Sequence, residues 1–267
     1  MKTKISITID KKLIEEIDST VDNIVIRNRS QAIESLVKKS LGESRTAVIL
    51  CGGPEDALMV SKGQYSVTSM INNISLIELA VKKLRENNFK TIHIVARGSL
   101  LTKIFEILKD GSLYGVNINY TEEKKSTGTA SSLRLLKGKI SAKFLIVYGD
   151  IFFSKINIEE LWRSHIKHDA VCTLMLTTSP QPSKKGTVIM EGSKILRFTQ
   201  KPVKSDVYLV FSPIFAASPE LLEYSGKSLE YDIFPQLAAK GLLNGHFSSE
   251  KEVHIHSIND LKKLSKR

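Results

Sequence analysis

The chain has 267 residues, 42% of them hydrophobic, and carries 39 Lys/Arg against 28 Asp/Glu for a net charge of +11. That length can bury a real core in one large domain plus a small one, and no apolar run approaches the roughly 20 residues that a membrane span needs. No signal-peptide pattern opens the chain, and its two cysteines, Cys51 and Cys172, sit in apolar runs, so the expectation is a cytoplasmic protein with buried thiols and no membrane partner.

The positive charge suggests a polyanionic partner but does not locate one. Residues 1–45 hold 9 Lys/Arg and 7 Asp/Glu, so most of the excess lies beyond them. Lys2 to Ile9 alternates strictly, with Ile5, Ile7 and Ile9 on one face and Lys4, Ser6 and Thr8 on the other, which predicts a half-buried strand. Asp10 can cap a helix with the stripe Leu13, Ile14, Ile17 and Val21. Ser30 is expected to cap a second helix, with Ala32, Ile33, Leu36, Val37 and Leu41 inward and Gly42 at its end. So small a unit buries too little apolar surface alone and calls for a second copy.

Lys4-Ile-Ser-Ile-Thr8 and Arg27-Asn-Arg-Ser-Gln-Ala-Ile33 resemble the ribbon-helix-helix DNA-binding family. That resemblance implies a homodimer whose two-stranded ribbon enters the major groove, with Lys4, Ser6 and Thr8 facing base edges. Arg29, Ser30 and Gln31 would then hold a phosphate at the second helix's amino end.

After the linker Glu43–Thr46, Ala47-Val-Ile-Leu50 reads as a buried strand that breaks at Gly52-Gly53, the first strand of an open α/β sheet. An irregular stretch leads to Asn73, followed by a helix at Leu76–Asn88, a strand at Thr91–Ala96 and a helix around Leu100–Lys109. A strand at Val116–Tyr120, a helix at Ser131–Leu136 after Gly128-Thr-Ala130, and a strand at Phe144–Tyr148 ending in Gly149-Asp150 come next. Further strands are predicted at Val171–Thr177, Gly186–Met190, Lys194–Phe198 and Tyr208–Phe215, where Pro213 requires an edge or a bend. Alternating elements of this kind predict a doubly wound sheet. Asp150, an acid just past an apolar strand, is a candidate cation ligand or a turn former.

Ala47–Gly53, Leu76-Ile-Glu78, Gly128-Thr-Ala130, Tyr148-Gly-Asp150, Gln200-Lys-Pro202 and Tyr231-Asp-Ile-Phe-Pro235 occur in the order found in sugar-phosphate nucleotidylyltransferases, over nearly all of 46–264. The resemblance implies a Rossmann-like, GT-A-like three-layer α/β/α domain over 46–267, following a β-α-α ribbon-helix-helix domain over 1–43. It also implies the joining of a nucleoside triphosphate to a sugar 1-phosphate with Mg²⁺. Gly52, Gly53, Glu123, Gly128, Thr129, Asp150 and Lys201 are the candidate ligand-binding residues.

The chain departs from that family pattern in several places. Ala57 stands where the family has an arginine, and Glu55 and Asp56 fall where a triphosphate should lie. At 4 Å each such charge pair repels by about 1 kcal/mol even in a water-like medium. Gln200 replaces a glutamate, and Val253-His-Ile-His-Ser257 replaces the segment that carries the second metal-binding acid. His254 and His256, on one strand face with Glu252, are candidate transition-metal ligands together with Asp150, or else an exposed polar face.

These departures lead to the expectation of a DNA-binding transcriptional regulator that binds double-stranded DNA as a homodimer. Its catalytically degenerate domain would serve the sensing of a nucleotide or sugar nucleotide, oligomerisation or both, and need no cofactor. The alternative is an active sugar-1-phosphate nucleotidylyltransferase using Mg²⁺, with an appended DNA-binding domain.

Overall fold

The structure is a computed structural model, and it describes residues 5–22, 26–41 and 45–265. It divides into two compact units, Met1–Ser44 and Arg45–Arg267.

In the first unit Asp10 caps the helix Lys11–Ser19 as predicted, accepting a hydrogen bond from the Lys12 N–H at 2.8 Å. The second helix, Arg29–Leu41, is capped by Asn28 and not by Ser30: the Asn28 Oδ1 accepts from the Gln31 N–H at 2.9 Å. The Gln31 Oε1 reaches back to the Arg27 N–H at 2.7 Å, so the pair closes a reciprocal capping arrangement two residues ahead of the expected one. Ile17 and Ala32 are buried, whereas Leu13, Leu36 and Val37 stay exposed. The predicted ribbon strand is not shown. Lys4 lies outside the described residues, and residues 5–9 run without strand pairing, with Ser6 and Thr8 exposed beside exposed Ile5 and Ile7.

The second unit is a mixed α/β fold built on a nine-stranded sheet. Its parallel part is organised around Arg45–Cys51, flanked by Phe89–Ala96 and Phe144–Tyr148, with Asn117–Glu122 beyond Phe89–Ala96 at the sheet's edge. The predicted strands of this half are all present. Ala47, Ile49 and Cys51 face one core with Leu84, Ile94 and Trp162, while Val48 and Leu50 face another with Phe144, Phe215 and Phe234. A strand buried on both faces reads as a continuous apolar run, which is why Ala47–Leu50 shows no alternation.

On the other side of Phe144–Tyr148 runs the antiparallel strand Leu209–Ala217. One edge of that strand pairs with Cys172–Thr178, with a register shift between Leu174 and Leu176. The other edge has two partners in succession: Thr187 lies opposite Val210, and Val147 to Phe144 lie opposite Ile214 to Ala217. Pro213 falls at the change of partner, where its missing N–H leaves no ladder bond unmade. The strand is therefore interior rather than peripheral, and a fork lies beside it where its partner changes.

Candidate active site

The carboxyl ends of the central strands surround a cavity of about 690 Å³. Gly52, Gly53, Gly128, Thr129, Asp150 and Lys201 all line it, together with Asp56, Ala57, Ser66, Tyr148 and His256. A second cavity of about 400 Å³ occupies the fork at Pro213 and is lined by Lys184, Lys185, Gln200, Phe211, Glu230 and His254 among others. Tyr148, Asp150, Lys201 and His256 border both spaces. The two cavities thus meet at one carboxylate and one lysine.

The glycine turn is held from behind. Glu123, expected among the ligand-binding residues, is 3% exposed and absent from the larger cavity's lining. Its Oε2 accepts from the Gly53 N–H at 3.2 Å, and its Oε1 accepts from the Ser132 hydroxyl. A Cβ on Gly52 would lie 2.5 Å from that same Oε2, so only glycine fits there. Glu123 is a strut between the turn and the helix Thr129–Arg134. Sequence reading could not find this, because Ser132 and Gly53 lie far apart in the chain.

The loop after the turn differs from expectation in one carboxylate. Glu55 accepts hydrogen bonds from the Tyr65 hydroxyl at 2.5 Å and the Ser99 hydroxyl at 3.3 Å. These bonds hold its carboxyl below the usual range, with nearby Arg97 and Lys103 assisting against a small burial effect. Glu55 does not line the larger cavity, which leaves Asp56 as the acid of this loop that does.

On the opposite wall Thr129 and Tyr148 converge on Glu230, which sits in a π-helical turn, Leu229–Ile233. The Thr129 hydroxyl donates to Glu230 at 2.7 Å and accepts from the Leu229 N–H at 2.8 Å, while the Tyr148 hydroxyl donates to the other Glu230 oxygen. Burial, followed by the charge of Glu230, pushes the Tyr148 phenol far above its ordinary value, so it keeps the proton that it donates to Glu230. The tight approach of Gly128 to the Lys227 carbonyl locks this wall: a Cβ there would meet that oxygen at 2.4 Å. Leu76-Ile-Glu78 has a purely structural part, a capping box in which Glu78 accepts from the Ser75 N–H at 2.9 Å and Ser75 accepts from the Glu78 N–H at 3.3 Å.

Lys201 has φ +45°, uncommon for a residue other than glycine, and its N–H donates to the Lys185 carbonyl at 2.9 Å. Asp150, His254 and His256 do come together: one ligand atom from each lies within 4.8 Å of the others. The His254 and His256 rings stack with centroids 5.5 Å apart, and the His256 Nδ1 is 3.8 Å from the Asp150 Oδ2.

In the first unit the residues expected to hold a DNA phosphate have differing surroundings. The Arg29 guanidinium makes two bonds to Asp18, at 2.7 and 2.5 Å, and the Gln31 carbonyl is used by Arg27; Ser30 is exposed. Among the described residues no helix is long and apolar enough to cross a membrane.

Comparison with known proteins gives a consistent picture. The chain is 33% identical over 135 residues to a mannose-1-phosphate guanyltransferase of Yarrowia lipolytica, covering 48% of this chain and 37% of that protein. It is 28% identical over 165 residues to the mannose-1-phosphate guanylyltransferase catalytic subunit beta of Xenopus tropicalis, covering 57% and 44%. The chain thus spans less than half the length of these two relatives. A crystal structure described as a "Putative Glucose-1-Phosphate Thymidylyltransferase" from Bacillus anthracis, in complex with sucrose, superposes with a TM-score of 0.73 at 17% identity, covering 84% of this chain and 94% of that one.

These findings overturn the expectation of a DNA-binding transcriptional regulator with a pseudoenzyme domain, and with it double-stranded DNA as partner. The relatives' names speak of nucleotidyl transfer to mannose 1-phosphate. They favour the alternative reading, a nucleotidylyltransferase. The nucleotidyl transferase family model matches residues 46–252, more than half of the chain, and the chain belongs to that family.

Proposed function

We propose that the second unit catalyses nucleotidyl transfer, joining a nucleoside triphosphate to a sugar 1-phosphate and releasing pyrophosphate. The observation that carries this reading is the shared border of the two cavities. Two substrates that react through one phosphorus must meet at a common wall, and Asp150 and Lys201 stand there. The larger space would take the nucleotide and the fork at Pro213 the sugar phosphate. Names of the relatives favour a guanosine nucleotide and mannose 1-phosphate as the pair to try first.

Lys201 is the cation that borders both cavities and can face phosphate oxygens from either. Transition-state charge is best stabilised by donors fixed before the substrates arrive. Asp56 opposes a polyphosphate, and Ala57 supplies no charge, so the rate falls short of that expected with an arginine present. Loss of one preorganised donor costs on the order of 10²–10³ in kcat. The Mg²⁺ implied by the family fits poorly here, because the cluster at the junction offers one carboxylate and two imidazoles where Mg²⁺ favours oxygen.

The full chain incubated with GTP and mannose 1-phosphate, then with the other nucleoside triphosphates and hexose 1-phosphates, should release pyrophosphate and form the matching sugar nucleotide. Lys201→Ala should lower kcat/KM by about 10²-fold or more. Absence of product with every pair, across divalent cations, would overturn the proposal, as would turnover indifferent to Lys201.

A further inference from the structure

The three donors at the junction make a ligand set unlike a magnesium site. One carboxylate oxygen and two imidazole nitrogens converge within 4.8 Å. Mg²⁺ binds oxygen in near-ideal octahedra, whereas imidazole favours zinc and its transition-metal neighbours.

A second observation singles out His254. Glu252 has a side chain 1% exposed, and its Oε1 lies 3.1 Å from the His254 Nε2. Lys185 donates to the same carboxylate at 2.8 Å and the Ser212 hydroxyl donates to it at 2.6 Å, so Glu252 cannot swing away. A carboxylate held in place on one ring nitrogen fixes the proton there and leaves Nδ1 with the lone pair. This is the supporting pattern found behind metal-bound histidines. On an exposed polar strand face a histidine has no need of a buried acid behind it. His256 is anchored through its backbone, whose N–H donates to the Asp260 Oδ2 at 3.2 Å.

We infer that Asp150, His254 and His256 form a site for a zinc-class transition-metal ion, with Glu252 as the residue that orients His254. Three protein ligands leave a further position open, as catalytic rather than structural zinc sites do. Asp150 and His256 border both cavities, so a phosphate oxygen from either could occupy it. The inference rests on the proposed function only for the meaning of that open position. The ion's identity follows from the donors alone.

The test uses the tag-free full chain, stripped with a chelator. Titration with Zn²⁺ should show one tight site per chain by calorimetry. Co²⁺ should bind with visible ligand-field bands of a nitrogen-containing site of low coordination number. Mg²⁺ at a thousandfold excess should displace neither. His254→Ala, His256→Ala and Asp150→Ala should each remove the Co²⁺ spectrum, and Glu252→Gln should weaken Zn²⁺ by about 10–100-fold while retaining the spectrum's form. His168→Ala, outside the cluster, should change nothing. Displacement by Mg²⁺ at that excess, or a Co²⁺ spectrum unchanged by the histidine variants, would overturn the assignment. Neither readout requires turnover, so a chain that binds zinc but forms no sugar nucleotide would refute the proposed function and leave this site standing.

Discussion

The glycine turn offers a sharp energetic test. In Gly52→Ala the new methyl would lie 2.5 Å from the Glu123 Oε2 and 3.0 Å from its Cδ, distances that van der Waals contact does not permit. Glu123 has no free room, being 3% exposed with one oxygen on the Gly53 N–H and the other on the Ser132 hydroxyl. Relief requires breaking at least one of these bonds to a buried carboxylate, each contributing about 1.5–3 kcal/mol. Gly52→Ala should therefore cost about 3 kcal/mol, read as a lower urea midpoint at unchanged m. The cost should depend on its partner. In a Glu123→Ala background the obstacle is gone, and the same glycine change should cost less than about 1 kcal/mol, a coupling of roughly 2 kcal/mol or more. Equal costs in the two backgrounds would show that the turn does not lean on Glu123, and the strut would have to be abandoned.

Acid stability should depend on His165. This ring is fully buried, with Nδ1 3.0 Å from the Thr173 Oγ1 and Nε2 without a hydrogen-bond partner, and burial followed by the charge of Lys143 lowers its pKa from 6.5 to about 4. Because the unfolded chain takes the proton first, this stability is intact above about pH 6.5 and is lost as pH falls toward 4, by about 3 kcal/mol in all. His165→Gln should flatten that part of the stability–pH curve in denaturant titrations; an unchanged slope would remove His165 as the cause. Thr129→Val keeps the side-chain shape but strands the Leu229 N–H and leaves the Glu230 Oε2 with the Ser228 hydroxyl at 2.8 Å, and should cost about 2 kcal/mol by the same denaturant measurement, with Thr129→Ser close to wild type.

The sequence was most legible where local pattern and tertiary fate agree. Phe144–Tyr148 is bounded as predicted, and the central strands lie within a residue or two of expectation, because a doubly covered sheet demands unbroken apolar runs. Pro213 announced an edge or a bend, and it falls in an interior strand where one partner gives way to another. Ser30 was misjudged as a cap because Asn28, two residues earlier, offers an equally good acceptor and Gln31 completes its box. The acidic loop was half misread: charge on paper assigned both Glu55 and Asp56 to the cavity, but Tyr65 and Ser99 draw Glu55 aside. His254 and His256 were paired through the two-residue spacing of a strand and do meet Asp150, although the strand itself is only Val253–His254. The buried hold of Lys185 and Ser212 on Glu252 was not, since it depends on pairings across most of the domain.

The fork beside Pro213 has a consequence for how the smaller cavity comes to exist. A space opened by a lid or a rotamer can collapse when its occupant leaves. This one lies where the strand Leu209–Ala217 passes from one ladder partner to the next, beside a residue that cannot donate a hydrogen bond. Closing it would mean unzipping established ladders on one side or the other. The cleft is therefore a standing feature of the scaffold. A ligand entering it meets walls already in position, and little ordering entropy has to be recovered from its contacts.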